Sequence, residues 1–240
     1  MNIEIADTYG DLSLMANNRV VQEIAKNRQL LLCTATGGSP TGMYQHLCNQ
    51  YQENPGLFAR LRIIKLDEWG GVPMDQAGTC EHYLQQNLLQ PLRIPESRYT
   101  GFHSNPENPG LECARIQDKL AAEGPIDLCI LGIGRNGHLA FNEPANFLQP
   151  FCHVAELSDM TLQHAMTAEM NIKPGFGLTL GMADILQSKM ILILIAGKEK
   201  KEIVHEFLSK KVSSSVPASF LWLHPNAHCL ITQDAMETNA

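Results

Sequence analysis

The feature that most restricts how this chain can fold is an alternation of short, continuously apolar runs with longer amphipathic stretches. The apolar runs fall at residues 29–35, 61–66, 126–133 and 190–196, and a last short one falls at 227–232. Unbroken runs of this length indicate strands buried on both faces, and such strands separated by helices indicate a parallel sheet covered on both sides. Between them, Leu12, Met15, Ala16, Val20 and Ile24 recur at helical spacing. Further helices are predicted at about residues 41–54, 78–89, 108–123 and 200–209, the first stopping before Pro55 and the second capped by Thr79. A further short strand is predicted at 153–157. The expected fold is α/β: a three-layer sandwich around a mostly parallel central sheet.

Four Gly-rich or polar loops follow these strands, after Ala35, Leu66, Ile133 and Ala196. In a parallel sheet all strand carboxyl ends lie on one edge, and ligands bind there at the switch point of the winding. Residues far apart in sequence are thus expected to meet in one crevice. At about 150 residues per domain, 240 residues allow one large domain or two small ones. The shared edge favours a single domain spanning 1–240.

The loop Thr36-Gly37-Gly38-Ser39-Pro40-Thr41 joins a strand to a helix N-terminus. Its glycines let the backbone approach a ligand, while free amides and hydroxyls supply donors, an arrangement suited to phosphate. The coincidence of the glycine pair with three hydroxyls favours an anion nest over an ordinary capped turn. No Gly-Lys-Ser/Thr follows, so this is not a Walker A loop.

Gly132-Ile133-Gly134-Arg135-Asn136-Gly137 matches Gly-x-Gly-x-x-Gly, with Glu156 about twenty residues on. The dinucleotide fingerprint needs a helix opening at the glycines, and Pro144 prevents one here. The same loop instead offers His138 and Glu143, a proton-transfer pair in which a carboxylate fixes the tautomer and supports the imidazolium. Asp67 and Glu68 end another strand. Adjacent side chains on a strand face opposite ways, so one can face the crevice as a base while the other does structural work. Lys198 or Lys200 can reach a phosphate as a point charge.

Composition excludes several classes. With 18 basic against 25 acidic residues the net charge is -7, a poor balance for nucleic acid or anionic membranes. No stretch is apolar for long enough to span a bilayer. The start Met1-Asn2-Ile3-Glu4-Ile5-Ala6-Asp7 lacks a signal peptide's basic and apolar regions. Seven dispersed cysteines without a Cys-x-x-Cys pair indicate reduced, mostly buried thiols and a cytoplasmic protein. No metal site is expected: His224 and His228 have helical spacing, but Pro225 intervenes and a third ligand is missing. A Gly-x-Ser-x-Gly elbow is absent.

Taken in order, Thr36-Gly37-Gly38-Ser39-Pro40, Leu66-Asp67-Glu68-Trp69, the segment from Gly134 to Pro144 with its Gly-His-x-Ala-Phe-Asn-Glu-Pro core, and Leu223-His224-Pro225 resemble the amino-sugar-6-phosphate deaminase/isomerase family. The resemblance covers nearly the whole chain. It implies a Rossmann-like fold and a reaction without metal or other cofactor, on a 2-amino-2-deoxyhexose 6-phosphate, giving a ketohexose 6-phosphate and ammonia. It implies that His138 assists ring opening, oriented by Glu143, and that Asp67 moves the C2 proton to C1. Asn136 joins them as a catalytic candidate. The substrate-binding candidates are Thr36, Gly37, Gly38, Ser39, Thr41, Glu68, Gly137 and Lys200, the last chosen over Lys198 by alignment on Gly197.

Three departures from the glucosamine enzymes matter. Asn136 stands where they usually carry Asp. Their phosphate-binding arginine has no counterpart in the region of Gln163, His164 and Thr167. The basic residues of their allosteric site are not evident around 153–157, so little or no allosteric activation is expected. Asn136, the segment Gly78-Thr79-Cys80-Glu81 and the segment from Ala218 to His224 resemble the galactosamine 6-phosphate branch, which tilts the expected substrate that way. A 6-phosphogluconolactonase would carry Ser-Leu-Phe-Pro after Gly-His-x-Ala, and Asp-Glu-Arg at the strand end. A regulatory sugar-phosphate sensor would carry an added DNA-binding element. The expected partner is a small sugar phosphate, with no nucleic acid and no membrane. Monomer and homo-oligomer are equally compatible with the sequence.

Overall fold

The computed structural model describes residues 1–163 and 165–236. The chain runs through β1 (Asn2–Ala6), α1 (Tyr9–Lys26), β2 (Leu31–Thr34), α2 (Gly38–Glu53), β3 (Arg62–Lys65), β4 (Asp67–Gly70), α3 (Cys80–Leu84), β5 (Tyr99–Thr100), α4 (Pro109–Glu123) and β6 (Leu128–Leu131). It continues through β7 (His153–Ala155), α5 (Asp159–Leu162), α6 (Ala165–Ala168), β8 (Phe176–Thr179), α7 (Met182–Leu186), β9 (Met190–Ile195), α8 (Lys201–Leu208), β10 (Ala227–Thr232) and α9 (Gln233–Met236).

The apolar runs form a seven-stranded sheet in the order β1-β10-β9-β6-β2-β3-β5. Every pairing in it is parallel. Along each central strand the side chains divide between the two faces. Cys33, Cys129, Leu131, Ile191 and Ile193 pack on one side with Ile116 of α4, Ile185 of α7 and Phe207 of α8. Leu32, Leu128, Ile130, Leu192 and Leu194 pack on the other with Leu12, Val20 and Ile24 of α1 and Met43 and Leu47 of α2. Burial on both faces is why these strands carry no polar alternation. The result is the expected three-layer α/β sandwich with a parallel central sheet.

Several boundaries differ from expectation for local reasons. Helix α2 starts at Gly38, not near Thr41, because Pro40 sits in its first turn, where the missing N–H costs nothing. The 78–89 helix is α3 followed by a π turn at Gln85–Leu89. Thr79 caps it as expected, accepting from the His82 amide. The expected 153–157 strand is shorter, and it lies in a second, antiparallel sheet of order β4-β8-β7. The residues Asp67–Gly70, expected to be a loop, are strand β4 of that sheet.

The strands after β2 proceed outward through β3 and β5 on one side and through β6, β9 and β10 on the other. The winding therefore reverses between β2 and β6. The small sheet projects beside this point and carries Asp67 at its rim.

Candidate active site

A cavity of about 800 Å³ opens at the carboxyl edge of the parallel sheet over the switch point. It collects all four loops singled out in the sequence. Thr36, Gly37, Gly38 and Ser39 line it from the β2–α2 loop, Asp67 from β4, His138 from the loop after β6, and Lys200 from the turn after β9.

Gly37 stands at the N-cap of α2 with φ of 97°, a left-handed conformation that favours glycine, and contributes no side chain to cap the helix. The first amides of this 16-residue helix are thus left to the cavity. The loop is braced from behind. The Gly37 carbonyl accepts from Thr41 Oγ1 at 2.9 Å and from the Tyr83 hydroxyl at 3.0 Å. The Tyr9 hydroxyl donates to the Gly38 carbonyl at 2.6 Å.

Asp67 is 8% exposed. Burial and the neighbouring Glu68 carboxylate push it up to about 7, against the opposing pull of Cys80 and Lys65. Glu68 points the other way and is fully buried. Its Oε1 accepts from the amides of Trp69 at 2.8 Å and Cys80 at 2.9 Å, and its Oε2 from the Glu81 amide and Lys65 Nζ, both at 2.7 Å. Lys65 Nζ also donates to Glu81 at 2.7 Å and to the Phe102 carbonyl at 3.0 Å, so this buried charge cluster is internally satisfied.

The loop after β6 turns tightly, Gly137 donating to the Gly134 carbonyl at 2.9 Å with φ of 86°. The His138 imidazole lies over Gly134, where a Cβ would come within 2.4 Å of the ring. His138 Nδ1 is 3.5 Å from Glu143 Oε2. Asn136 ties the two together: its Nδ2 donates to Glu143 Oε2 at 2.8 Å, and its Oδ1 accepts from the His138 amide at 3.2 Å. Glu143 Oε1 also accepts from the Thr161 hydroxyl, and from Ser158 at 3.3 Å. Burial pushes the Glu143 carboxyl up, but His138, Thr161 and Asn136 outweigh it and bring it down to about 2. Glu143 is therefore an anion at any working pH.

Lys200 Nζ donates to the Ile133 carbonyl at 2.5 Å. Burial, together with the charge of Arg135, lowers its pKa against the pull of Glu199.

Thr41, Glu68 and Gly137, expected from the sequence to contact a ligand, are not among the described residues lining the cavity. Thr41 braces the Gly37 carbonyl, Glu68 anchors α3, and Gly137 faces Ile203 and Val216. Asn136 and Glu143 sit behind His138. His224 is a structural clamp, its Nε2 donating to the Ser188 carbonyl at 2.7 Å and its Nδ1 accepting from the Asn226 amide. Of the residues where a phosphate arginine was sought, Gln163 lines the cavity, Thr167 does not, and His164 lies outside the described residues.

Sequence reasoning missed Arg135, Cys80 and the group Asp7, Thr8 and Tyr9, all lining the cavity. Arg135 stood inside the quoted glycine motif as a variable position. The Asp7 group follows β1, and the signal for it was the Thr8/Asp11 capping box that opens α1.

Residues 10–231 match the profile of the family described as glucosamine-6-phosphate isomerases/6-phosphogluconolactonase. The chain is 39% identical over 229 residues to AgaI of Escherichia coli K12, provisionally named a deaminase, covering 95% of this chain and 91% of that one. It is 34% identical to the glucosamine-6-phosphate deaminase of Alkaliphilus metalliredigens, covering 98% of each. The structure of a monomeric glucosamine-6-phosphate deaminase superposes with a TM-score of 0.93 at 33% identity, covering 98% of both chains. The 6-phosphogluconolactonase of Trypanosoma brucei shares the fold, with a TM-score of 0.78 at 22% identity over 100% of this chain and 98% of that one.

Proposed function

The chain belongs to the glucosamine-6-phosphate isomerase/6-phosphogluconolactonase family, and from that premise we propose that it deaminates and isomerises an amino-sugar 6-phosphate. The observation that carries this reading is the convergence of a near-neutral buried carboxylate, a histidine–carboxylate pair and a helix N-terminus on one cavity.

In the scheme these residues support, the helix N-terminus at Gly37-Gly38-Ser39 and Lys200 hold the phosphate. Arg135 adds a second cation to the same cavity. His138 protonates the ring oxygen and takes up the O1 proton as the pyranose opens to the aldehyde, and Glu143 supports the imidazolium. Asp67 then removes the C2 proton. The electron pair forms the C1–C2 double bond of an enolamine, and the His138 imidazolium returns the proton to O1. Asp67 returns its proton to C1, leaving an iminium at C2. Water adds at C2 and ammonia departs, giving the ketohexose 6-phosphate. Asp67 suits both transfers because its pKa near 7 makes the carboxylate and the acid close in energy.

Galactosamine 6-phosphate is the substrate favoured by Asn136 and by the segments around Cys80 and Trp222. Asn136 keeps the geometry of an aspartate, holding Glu143 with its amide, but leaves Glu143 as the pair's charge. The absence of basic residues around β7 supports little or no allosteric activation. Among the described residues no helix is long and apolar enough to cross a membrane. The free cysteines fit a reducing compartment such as the cytoplasm.

The test is ammonia release from galactosamine 6-phosphate and glucosamine 6-phosphate, with 6-phosphogluconolactone hydrolysis followed in parallel. The expected result is turnover of the amino sugars, galactosamine 6-phosphate faster. Turnover of the lactone alone sinks the assignment.

A further inference from the structure

Cys80 lines the cavity yet has no part in the scheme above. Its thiol lies between Asp67 and Thr36, the residue that leads into the phosphate loop. Thr36 Oγ1 donates to Cys80 Sγ at 3.4 Å, and Cys80 Sγ donates to Asp67 Oδ1 at 3.7 Å. We propose that Cys80 is a positioning residue, its thiol linking the phosphate loop to the base and holding the Asp67 carboxylate in its ionised, aimed form. This rests on the reading of Asp67 as the base.

The thiol is itself held in place. Cys80 is 1% exposed and opens α3, its amide fixed by Glu68 Oε1 at 2.9 Å and the helix start fixed by Thr79. Burial and the nearby Glu68 and Asp67 charges push the Cys80 thiol well above its ordinary range. It therefore remains an S–H donor, and not a thiolate, at any pH where the protein works. Thr36, donating to the sulfur, polarises the thiol toward the carboxylate.

The chemistry of sulfur matters here. Burial and the Glu68 charge raise Asp67 so far that, without a donor, it would hold its proton at neutral pH and fail as a base. A thiol is a weak donor. It offsets part of that rise without dragging the carboxyl down to the ordinary acid range, where it would be a poor base.

The test compares Cys80→Ala, which removes the donor, with Cys80→Ser, which keeps one. Two readouts are used: kcat/KM against pH with the amino-sugar phosphate, and 13C NMR titration of the Asp67 carboxyl. In Cys80→Ala the acid-side midpoint moves up by about half to one pH unit, a roughly three- to tenfold loss of ionised carboxylate below it. In Cys80→Ser it stays in place or moves down. Should the alanine variant fail to fold, Cys80→Val fills the thiol's volume without a donor and gives the same reading. An unchanged or lower midpoint in the donor-free variant, or an equal upward shift in the serine variant, overturns the proposal. Wild-type protein inactive on every amino-sugar phosphate sinks the functional reading instead, while the NMR titration still decides what the thiol does.

Discussion

At Asp67 the demands of folding and of chemistry oppose each other. A carboxyl raised from 3.8 to about 7 binds a proton in the folded chain that the unfolded chain has already lost. The folded state therefore loses stability as pH rises between those values. Asp67→Asn, which cannot ionise, is expected to unfold at higher denaturant than the wild type at pH 8, by about 2–4 kcal/mol, and to show little difference near pH 4. The same variant is expected to lose turnover while still binding sugar phosphate, since the anion nest lies on another loop. Urea titrations at the two pH values and calorimetric binding read these outcomes; comparable turnover would remove Asp67 from its role. This residue was legible in the sequence because a carboxylate pair ends an apolar run. Which of the pair faces the cavity was not legible. Strand alternation permits either, and the choice rests on Lys65 and the amides of Trp69, Cys80 and Glu81 capturing Glu68.

At the scale of elements, the loop after β6 shows how a turn holds the proposed proton-transfer pair together. Gly134 is needed less for its own dihedral angles than for the absence of a side chain beneath the His138 ring. Gly134→Ala places a methyl within 2.4 Å of the imidazole, so the ring must swing away from Glu143. Turnover is expected to fall by about a hundredfold or more with the circular dichroism spectrum unchanged, because misplacement by an ångström is costly in rate while the added methyl meets the His138 ring first. Retained activity would mean that His138 works from another position. The motif itself was plain in the sequence, but two of its supports were not. Ser158 and Thr161 reach Glu143 from α5, at a distance no local pattern encodes. Strand β4 was likewise hidden: Asp67-Glu68-Trp69-Gly70 has no strand-like apolar run, and its pairing with β8 arises from a segment more than a hundred residues later.

At the scale of the whole molecule, a chain of net charge -7 carries a cationic corner in its cavity, Lys200 with Arg135. Global balance and local site answer different questions, since one phosphate needs only a helix N-terminus and one or two cations. Every group in the proposed reaction comes from the same chain. Activity per chain is therefore expected to stay constant through a hundredfold dilution of the enzyme, checked by initial rates against sedimentation at each concentration. A loss that tracks dissociation would place a subunit contact in the site. The amino-acid sequence alone determined the parallel three-layer architecture, because unbroken apolar strands can be buried only between two helical layers. It also determined which loops meet, because parallel strands must end on a common edge. Only the tertiary structure decided which residues turn inward. Long-range pairing aims Asp67 into the cavity and buries Glu68, places Arg135 beside Lys200, and sets Cys80 between loop and base. Those orientations depend on contacts between segments whose sequences carry no record of each other.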